Sequence, residues 1–298
     1  MRAASVFGQT FWSGGVAELL GLAREDAQVE DWLAALVEAE VIEPHPDSRL
    51  AHTKEYGFRH ALVREAAYSL LTKSDLITGH RLAARYLTLM GEPEPLVLVD
   101  HYRRGGEPEH AVPLYLRAAE AASRVWALAE TRQLYSQAKA ALDELADTPE
   151  NRRLRVDILL KSVESGILFD PAEQNFRRLA EARALLATLG ADGPPDPADQ
   201  RRGAWIDLFT GRTHYYQGHL SESIVYYKRM LPVGEALGDN ELLVLSSQLV
   251  GSTLVMQGYA GQALSLLARA AELQNRPDTD YERLRTMGHY AGCLVMTG

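Results

Sequence analysis

The feature that most constrains this 298-residue sequence is a forty-residue internal period in its second half. The dipeptides Gln217-Gly218, Gln257-Gly258 and Thr297-Gly298 recur at that interval, and Gly211 aligns with Gly251. Apolar residues at helical spacing flank each glycine, so each unit reads as helix, glycine turn, helix. Such units bury their apolar faces only against neighbouring units, and the period therefore predicts a stack of helix pairs.

A small residue follows each turn glycine by five places, Ser223 after Gly218 and Ala263 after Gly258. This pattern resembles the tetratricopeptide repeat, although the forty-residue unit exceeds that repeat's usual length of about 34 residues. The resemblance implies a concave groove, lined by the first helix of each pair, that binds extended peptides or partner helices. We expect the groove to be lined by Trp205, Leu208, Arg212, Tyr215, Tyr216, Gln248, Ser252 and Met256. The spacing leaves open that Trp205 and Tyr216 only fill the core between helices.

The middle of the sequence is also predicted to be helical, with a loop over 190–200. We expect Ser74 and Asp75 to cap a helix that ends near Met90, because such side chains accept hydrogen bonds from free backbone amides. The remaining helices are expected over 95–104, 107–125, 129–145, 151–169 and 172–189. The chain is thus divided into residues 1–72, a helical connector over 73–148, and repeats over 149–298, the last of them truncated.

The first 72 residues show a different pattern, in which three helices precede a β-hairpin. The third helix, from Asp26, carries one apolar face made by Val29, Trp32, Leu33, Leu36 and Val37. The other elements are expected as a helix over 1–7, a break at Gly14-Gly15, a helix over 16–22, and strands from Val41 and over 50–59. This order predicts a winged-helix domain, so the fold class is mostly α, a winged helix followed by an α-solenoid of tetratricopeptide-like pairs.

The segment Phe58-Arg-His-Ala-Leu-Val-Arg-Glu-Ala-Ala67 resembles the end of the winged-helix domain in STAND-class signal-transduction ATPases. In that family a Met-His-Asp motif stands here, and its histidine contacts the β-phosphate of ADP bound to the preceding ATPase domain. His60 matches this histidine, whereas Ala61 replaces the aspartate. The resemblance implies that His60 senses ADP or ATP held by an upstream ATPase domain that is absent from this chain. The pattern alone favours a structural histidine that bonds a nearby backbone carbonyl, because sensing histidines are far rarer than structural ones.

The opening residues Ala3–Gly8 and Thr10–Val16 are similar to the same domain in bacterial proteins in which a protein kinase precedes the ATPase. The resemblance implies that the chain is the C-terminal part of a longer protein, with a serine/threonine kinase, or less readily a nucleotide cyclase, as its output. It implies a non-catalytic module that binds a protein or effector through the repeats and docks on the ATPase domain.

Charge argues against the alternative function of a DNA-binding transcriptional regulator. The net charge is −9 and no Lys or Arg occurs between Arg24 and Arg49, where the third helix would face DNA. That helix carries Asp26, Glu30 and Asp31, which phosphates would repel. We therefore expect no nucleic-acid partner.

No phosphate-binding glycine loop, kinase catalytic loop or metal-ligand motif is found, so catalytic and metal-binding residues are expected to be absent from this chain. The lone Cys293 allows no internal disulfide, which favours a cytoplasmic location. The uncharged stretch 242–268 is interrupted by serines, glutamines and glycines, and we interpret it as buried repeat helices rather than a membrane span.

Overall fold

This computed structural model of the protein describes residues 1–24, 26–189 and 196–273. The chain divides into two compact units, Met1–Leu145 and Ala146–Gly298, and each is described by itself. Both are mainly helical. The predicted features at Cys293 and Thr297-Gly298, and most of the loop over 190–200, lie outside the described residues.

The first unit combines a small antiparallel sheet with helices on either side of it in the sequence. Its elements are α1 (Arg2–Phe7), β1 (Thr10–Trp12), α2 (Ser13–Leu20), α3 (Ala27–Glu38), β2 (Ile42–Pro44), β3 (Glu55–Phe58), α4 (Ala61–Ser69), α5 (Lys73–Leu89), α6 (Pro95–Arg104), α7 (Ala111–Arg124) and α8 (Leu128–Asp143). The strand order is β1-β3-β2, with Phe11 opposite Tyr56 and Ile42 opposite Phe58. Both faces of this sheet are covered: Phe11, Tyr56 and Phe58 lie on one face and Trp12 and Glu55 on the other, and all five are buried.

The predicted helix break at Gly14-Gly15 is wrong, because both glycines lie in the first turn of α2. A Cβ atom at Gly15 would lie 2.6 Å from the Phe7 ring, and one at Gly14 would lie 3.0 Å from the Tyr86 hydroxyl. The glycines are therefore explained by close packing: α2 starts against two aromatic side chains that leave no room for a larger residue.

Three further details of the first unit differ from the predictions. Trp32 does not belong to the buried face of α3, since 47% of the residue is exposed, whereas Val29 and Leu33 are buried. The returning strand is limited to Glu55–Phe58, because residues 50–53 turn before it. The cap of α5 is Thr72, whose hydroxyl accepts from the Asp75 amide at 3.2 Å while the Asp75 carboxylate accepts from the Thr72 amide.

The second unit consists of successive antiparallel helix pairs. Its helices are α9 (Pro149–Gly166), α10 (Ala172–Ala187), α11 (Pro197–Tyr216), α12 (Leu220–Leu237), α13 (Asn240–Met256) and α14 (Ala260–Leu273). α11 begins inside the predicted loop, because the Asp196 carboxylate accepts from the Ala198 amide at 2.8 Å and Pro197 suits the first helical position. Apolar residues of all six helices form one continuous core.

Equivalent contacts recur in the pairs α11–α12 and α13–α14. A Cβ at Gly211 would lie 2.5 Å from the Tyr227 ring, and one at Gly251 would lie 2.7 Å from Leu267, forty residues further along in each case. The amides of Gly218 and Gly258 close the two turns with hydrogen bonds of 2.9 Å each, and both glycines have positive φ. The sequence period is therefore a structural period: a glycine lets the first helix approach a large side chain of the second.

Candidate functional site

A cleft of about 410 Å³ opens between the first helices of two neighbouring pairs, α9 and α11. Leu160, Trp205 and Phe209 provide its apolar surface, and Trp205 and Phe209 lie with their ring centroids 6.0 Å apart. The other lining residues are Asp157, Lys161, Glu164, Ala198, Arg201 and Arg202. Concave, largely apolar clefts with a few polar groups are the usual form of binding sites.

Helical spacing explains why these side chains meet. Arg201, Trp205 and Phe209 are four residues apart and so share one face of α11, while Leu160 and Glu164 share one face of α9. α9 and α11 pack against each other as well as against α10 between them in sequence. The cleft is thus a consequence of pairing helices so that the first helix of one pair meets the first helix of the next.

The charged groups around the cleft are already paired within the unit. Arg202 forms two parallel hydrogen bonds to Asp157, at 2.8 and 2.9 Å, and a third to Asp199 at 3.0 Å. Hydrogen bonds from Arg153 are the main reason that the pKa of Asp199 lies below its usual value. Bidentate pairs of this kind fix side-chain geometry. The rim of the cleft is therefore held in place and its charge is largely neutralised.

Arg201 joins the cleft to the next pair of helices. Its guanidinium donates to Asp239 at 2.7 Å and also to Glu241, at the start of α13. The same guanidinium lies 5.7 Å from the centre of the Trp205 ring, within the range of a cation–π contact. Arg201 thereby orients Trp205 at the cleft surface.

The structure separates the eight predicted groove residues into three groups. Trp205 lines the cleft as expected for a groove residue. Arg212, Tyr215, Tyr216, Ser252 and Met256 are at least partly exposed, and the Tyr215 hydroxyl donates to the sulfur of Met256 at 2.8 Å, which connects α11 with α13. Leu208 and Gln248 are fully buried.

The assignment of Leu208 and Gln248 to the groove is therefore wrong. Leu208 lies about 60° around the helix from Trp205, and its side chain is part of the core shared by the helices and does not line the cleft. Gln248 is likewise enclosed, and its backbone oxygen accepts from the Ser252 hydroxyl.

The prediction missed the α9 side of the cleft, namely Asp157, Leu160, Lys161 and Glu164. The forty-residue period does not extend visibly into α9, so alignment with Trp205 gave no position there. Arg201 and Phe209 did carry a signal, since they stand four residues before and after Trp205 on the same helical face.

His60 lies in the first unit, at the junction between β3 and α4. It is the N-cap residue of α4, is exposed, and makes no capping hydrogen bond through its side chain. The apolar residues that follow it at helical spacing are also exposed: 76% of Leu62 and 67% of Leu70 are accessible. His60, Leu62, Ala66 and Leu70, at the two ends of α4 and along it, are therefore all accessible, and this set is here called the α4 face.

Within the described ranges, no group of three or more metal-ligating side chains comes together. None of the helices described combines bilayer-spanning length with sufficient hydrophobicity.

The helix pairs, their glycine turns and the cleft between first helices define a tetratricopeptide-like helical-repeat fold. The solved structure of the apo form of RapI, which has such repeats, is similar over 79% of this chain and 64% of its own, with a TM-score of 0.53 and 11% identity. At that identity the likeness concerns the fold alone.

Two other proteins show similarity. PH0952 of Pyrococcus horikoshii, a STAND protein with a tetratricopeptide repeat sensor, matches 99% of this chain and 47% of its own, with a TM-score of 0.46 and 13% identity. An uncharacterized protein of Rhizobium meliloti (strain 1021), R02095, is 26% identical over 140 residues, which cover 42% of this chain and 13% of that protein. The chain spans less than two thirds of each of these three proteins. No family model matches the sequence.

Proposed function

We propose that the chain is a non-catalytic regulatory module of a multidomain signalling protein and that the α9–α11 cleft binds a segment of a protein partner. The observation that carries this proposal is the cleft itself, built from Leu160, Trp205 and Phe209 on the first helices of a repeat array. Its paired rim offers little free charge to a small ion. Its apolar surface instead suits a bulky side chain of a peptide or of a partner helix.

Peptide selection tests this function. Short random peptides displayed on phage are selected on the protein, and the best binders are titrated by fluorescence anisotropy. We expect Trp205→Ala to weaken binding at least tenfold, because truncating a central aromatic anchor typically costs about 2 kcal/mol or more. Trp32→Ala is the matched control, since Trp32 is a partly exposed tryptophan on α3. Equal losses in both variants, or none in Trp205→Ala, would exclude the cleft as the binding site.

We further propose that residues 1–72 form a winged helix whose α4 face docks on an upstream ATPase domain. The order helix, strand, two helices and hairpin supports the winged helix. Docking is supported by the exposure of Leu62 and Leu70, since contiguous apolar surface commonly marks an interface. In this arrangement His60 lies beside the bound nucleotide and favours the ADP-bound state, and a partner in the repeats biases the switch. A serine/threonine kinase, or less readily a nucleotide cyclase, is the proposed output.

Calorimetry of ADP binding tests the docking, in a protein that includes the preceding ATPase domain. His60→Ala is expected to weaken ADP binding about tenfold, or ~1.4 kcal/mol, the size of a charge-assisted hydrogen bond. His219→Ala is the control, because His219 is also an exposed N-cap residue without a side-chain capping bond. If His60→Ala leaves the affinity for ADP unchanged, His60 does not sense the nucleotide and is only a residue at the junction of β3 and α4.

No observation favours the transcriptional regulator. α3 carries Glu30, Asp31 and Glu38, and Lys54, which lies near it, donates to Glu30 at 2.6 Å. An acidic helix with its neighbouring cation already paired is unsuited to a DNA groove.

A further inference from the structure

The exposed stripe of α11 carries two arginines with different surroundings. Arg201, Trp205, Arg212 and Tyr216 are spaced by four, seven and four residues and so lie on one side of the helix, here called the α11 stripe. Arg201 is paired with Asp239 and Glu241. Among the described residues, no carboxylate lies within ion-pair distance of Arg212, which is partly exposed. The α11 stripe therefore presents a guanidinium that is free to pair with a bound partner.

The position of Arg212 relative to the cleft defines a spacing. Trp205 and Arg212 are seven residues apart, which at 1.5 Å per residue is about 10.5 Å along the helix axis. A peptide in the polyproline II conformation advances about 3.1 Å per residue and has three residues per turn, so side chains three residues apart lie on the same side, about 9.3 Å apart. A peptide of this kind that places an apolar side chain against Trp205 brings the side chain three residues away to Arg212.

We infer that the segment bound in the cleft carries a carboxylate about three residues from its apolar anchor, and that Arg212 binds this carboxylate. The inference rests on the proposed binding function of the cleft. A guanidinium matches the geometry of a carboxylate and can donate two parallel hydrogen bonds to it. Tyr216, four residues beyond Arg212 and 54% exposed, adds a hydroxyl donor on the same side of the helix.

The charge of the whole chain acts against acidic partners in general, since its net charge is −9. A carboxylate that reaches the guanidinium of Arg212 gains a local ion pair that offsets this repulsion. Arg212 accordingly favours segments of the matching spacing, because a carboxylate placed elsewhere lacks this ion pair.

The test uses three acetylated peptides flanked by glycine and serine. In the first peptide, leucine and glutamate are separated by two serines. The second peptide has glutamine in place of the glutamate, and the third places the glutamate next to the leucine. We expect the first peptide to bind the wild type at least threefold more tightly than either of the others. The preference disappears in Arg212→Gln, is partly kept in Arg212→Lys, and weakens as salt rises.

Arg177→Gln is the matched control, because Arg177 is an exposed arginine on α10 whose guanidinium donates to the backbone oxygen of Glu173. This variant is expected to keep the full preference for glutamate. If the peptides bind in a Trp205-dependent manner but glutamate and glutamine bind equally, the carboxylate inference is wrong while the binding function stands. If no peptide binds the cleft, both are wrong.

Discussion

Adding one methyl group at Gly211 tests whether close approach of the paired helices holds the repeats together. In Gly211→Ala the new Cβ would lie 2.5 and 2.7 Å from two ring atoms of Tyr227 and 3.2 Å from the backbone oxygen of Ser223. Tyr227 is 1% exposed, so its ring cannot swing into solvent. Overpacking of this kind costs about 1–3 kcal/mol. Alanine gains about 0.5–1 kcal/mol over glycine inside a helix. The net expectation is a loss of about 0.5–2 kcal/mol.

Gly203→Ala is the matched control on the same helix. A Cβ there would lie 3.6 Å from the nearest atom of Leu186, which is ordinary van der Waals contact. This variant keeps the helix-propensity gain without the clash, and we expect it to be more stable than the wild type by up to about 1 kcal/mol. The two alanine substitutions therefore have opposite predicted signs.

Urea unfolding followed by far-ultraviolet circular dichroism measures both variants, with a constant m-value as the check that only stability has changed. In thermal unfolding, 1 kcal/mol corresponds to about 2–4 °C for a unit of this size. Gly211→Ala should become stabilising in a Tyr227→Ala background, where the clash is absent. The reasoning is refuted if Gly211→Ala stabilises the wild type as much as Gly203→Ala does, or if the Tyr227→Ala background leaves its effect unchanged.

Three further predictions concern the first unit. Burial is the main cause that lowers the pKa of His80 and of His101 from 6.5 to about 4, and their Nδ1 atoms lie 3.0 Å apart. The unfolded chain therefore binds more protons than the folded chain between pH 6.5 and 4. The free energy of unfolding is highest above pH 6.5 and falls by up to ~3 kcal/mol per imidazole as the pH is lowered toward 4. Urea titrations that show constant stability across this window would contradict the prediction. Glu55→Leu should cost about 1–3 kcal/mol, because the buried carboxylate accepts from the Trp12 indole at 3.0 Å and a leucine offers that donor no acceptor; an unchanged urea midpoint would disprove this. Asp26→Ala should cost about 1 kcal/mol through loss of the α3 cap, while Asp26→Asn should cost less, and equal thermal midpoints of the two variants would speak against capping.

Most of the helical architecture was predictable from the sequence, because it depends on local patterns. The forty-residue period and the glycine turns at Gly218 and Gly258 follow from spacing alone, and the structure gives both turns the same hydrogen bonds. The caps at Asp26 and Asp196 are also local, although only the start of a helix at Asp26 was expected.

The errors arise where distant residues decide the outcome. Gly14-Gly15 reads locally as a helix break, yet Phe7 and Tyr86 require glycine within α2. Leu208 and Trp205 are both apolar residues of one helix, and only the packing of α11 against its neighbours separates a core position from a cleft position. The α9 side of the cleft was missed because the period that located Trp205 does not mark α9.

Because the helices of the second unit pack mainly on their neighbours, a bound partner can stabilise helices that it does not contact. Each described helix there packs mainly on the helices next to it in sequence, but α9 also packs on α11, which skips a helix, and side-chain contacts such as Tyr215–Met256 join α11 to α13. Structures held by such short-range contacts unfold in steps that begin at their ends. A segment bound in the cleft would contact both α9 and α11, and would thereby stabilise α10, which packs on both helices without lining the cleft. We therefore expect the backbone amides of α10 to exchange hydrogen more slowly when the cleft is occupied. Binding at one site would in this way make neighbouring helices of the array more rigid.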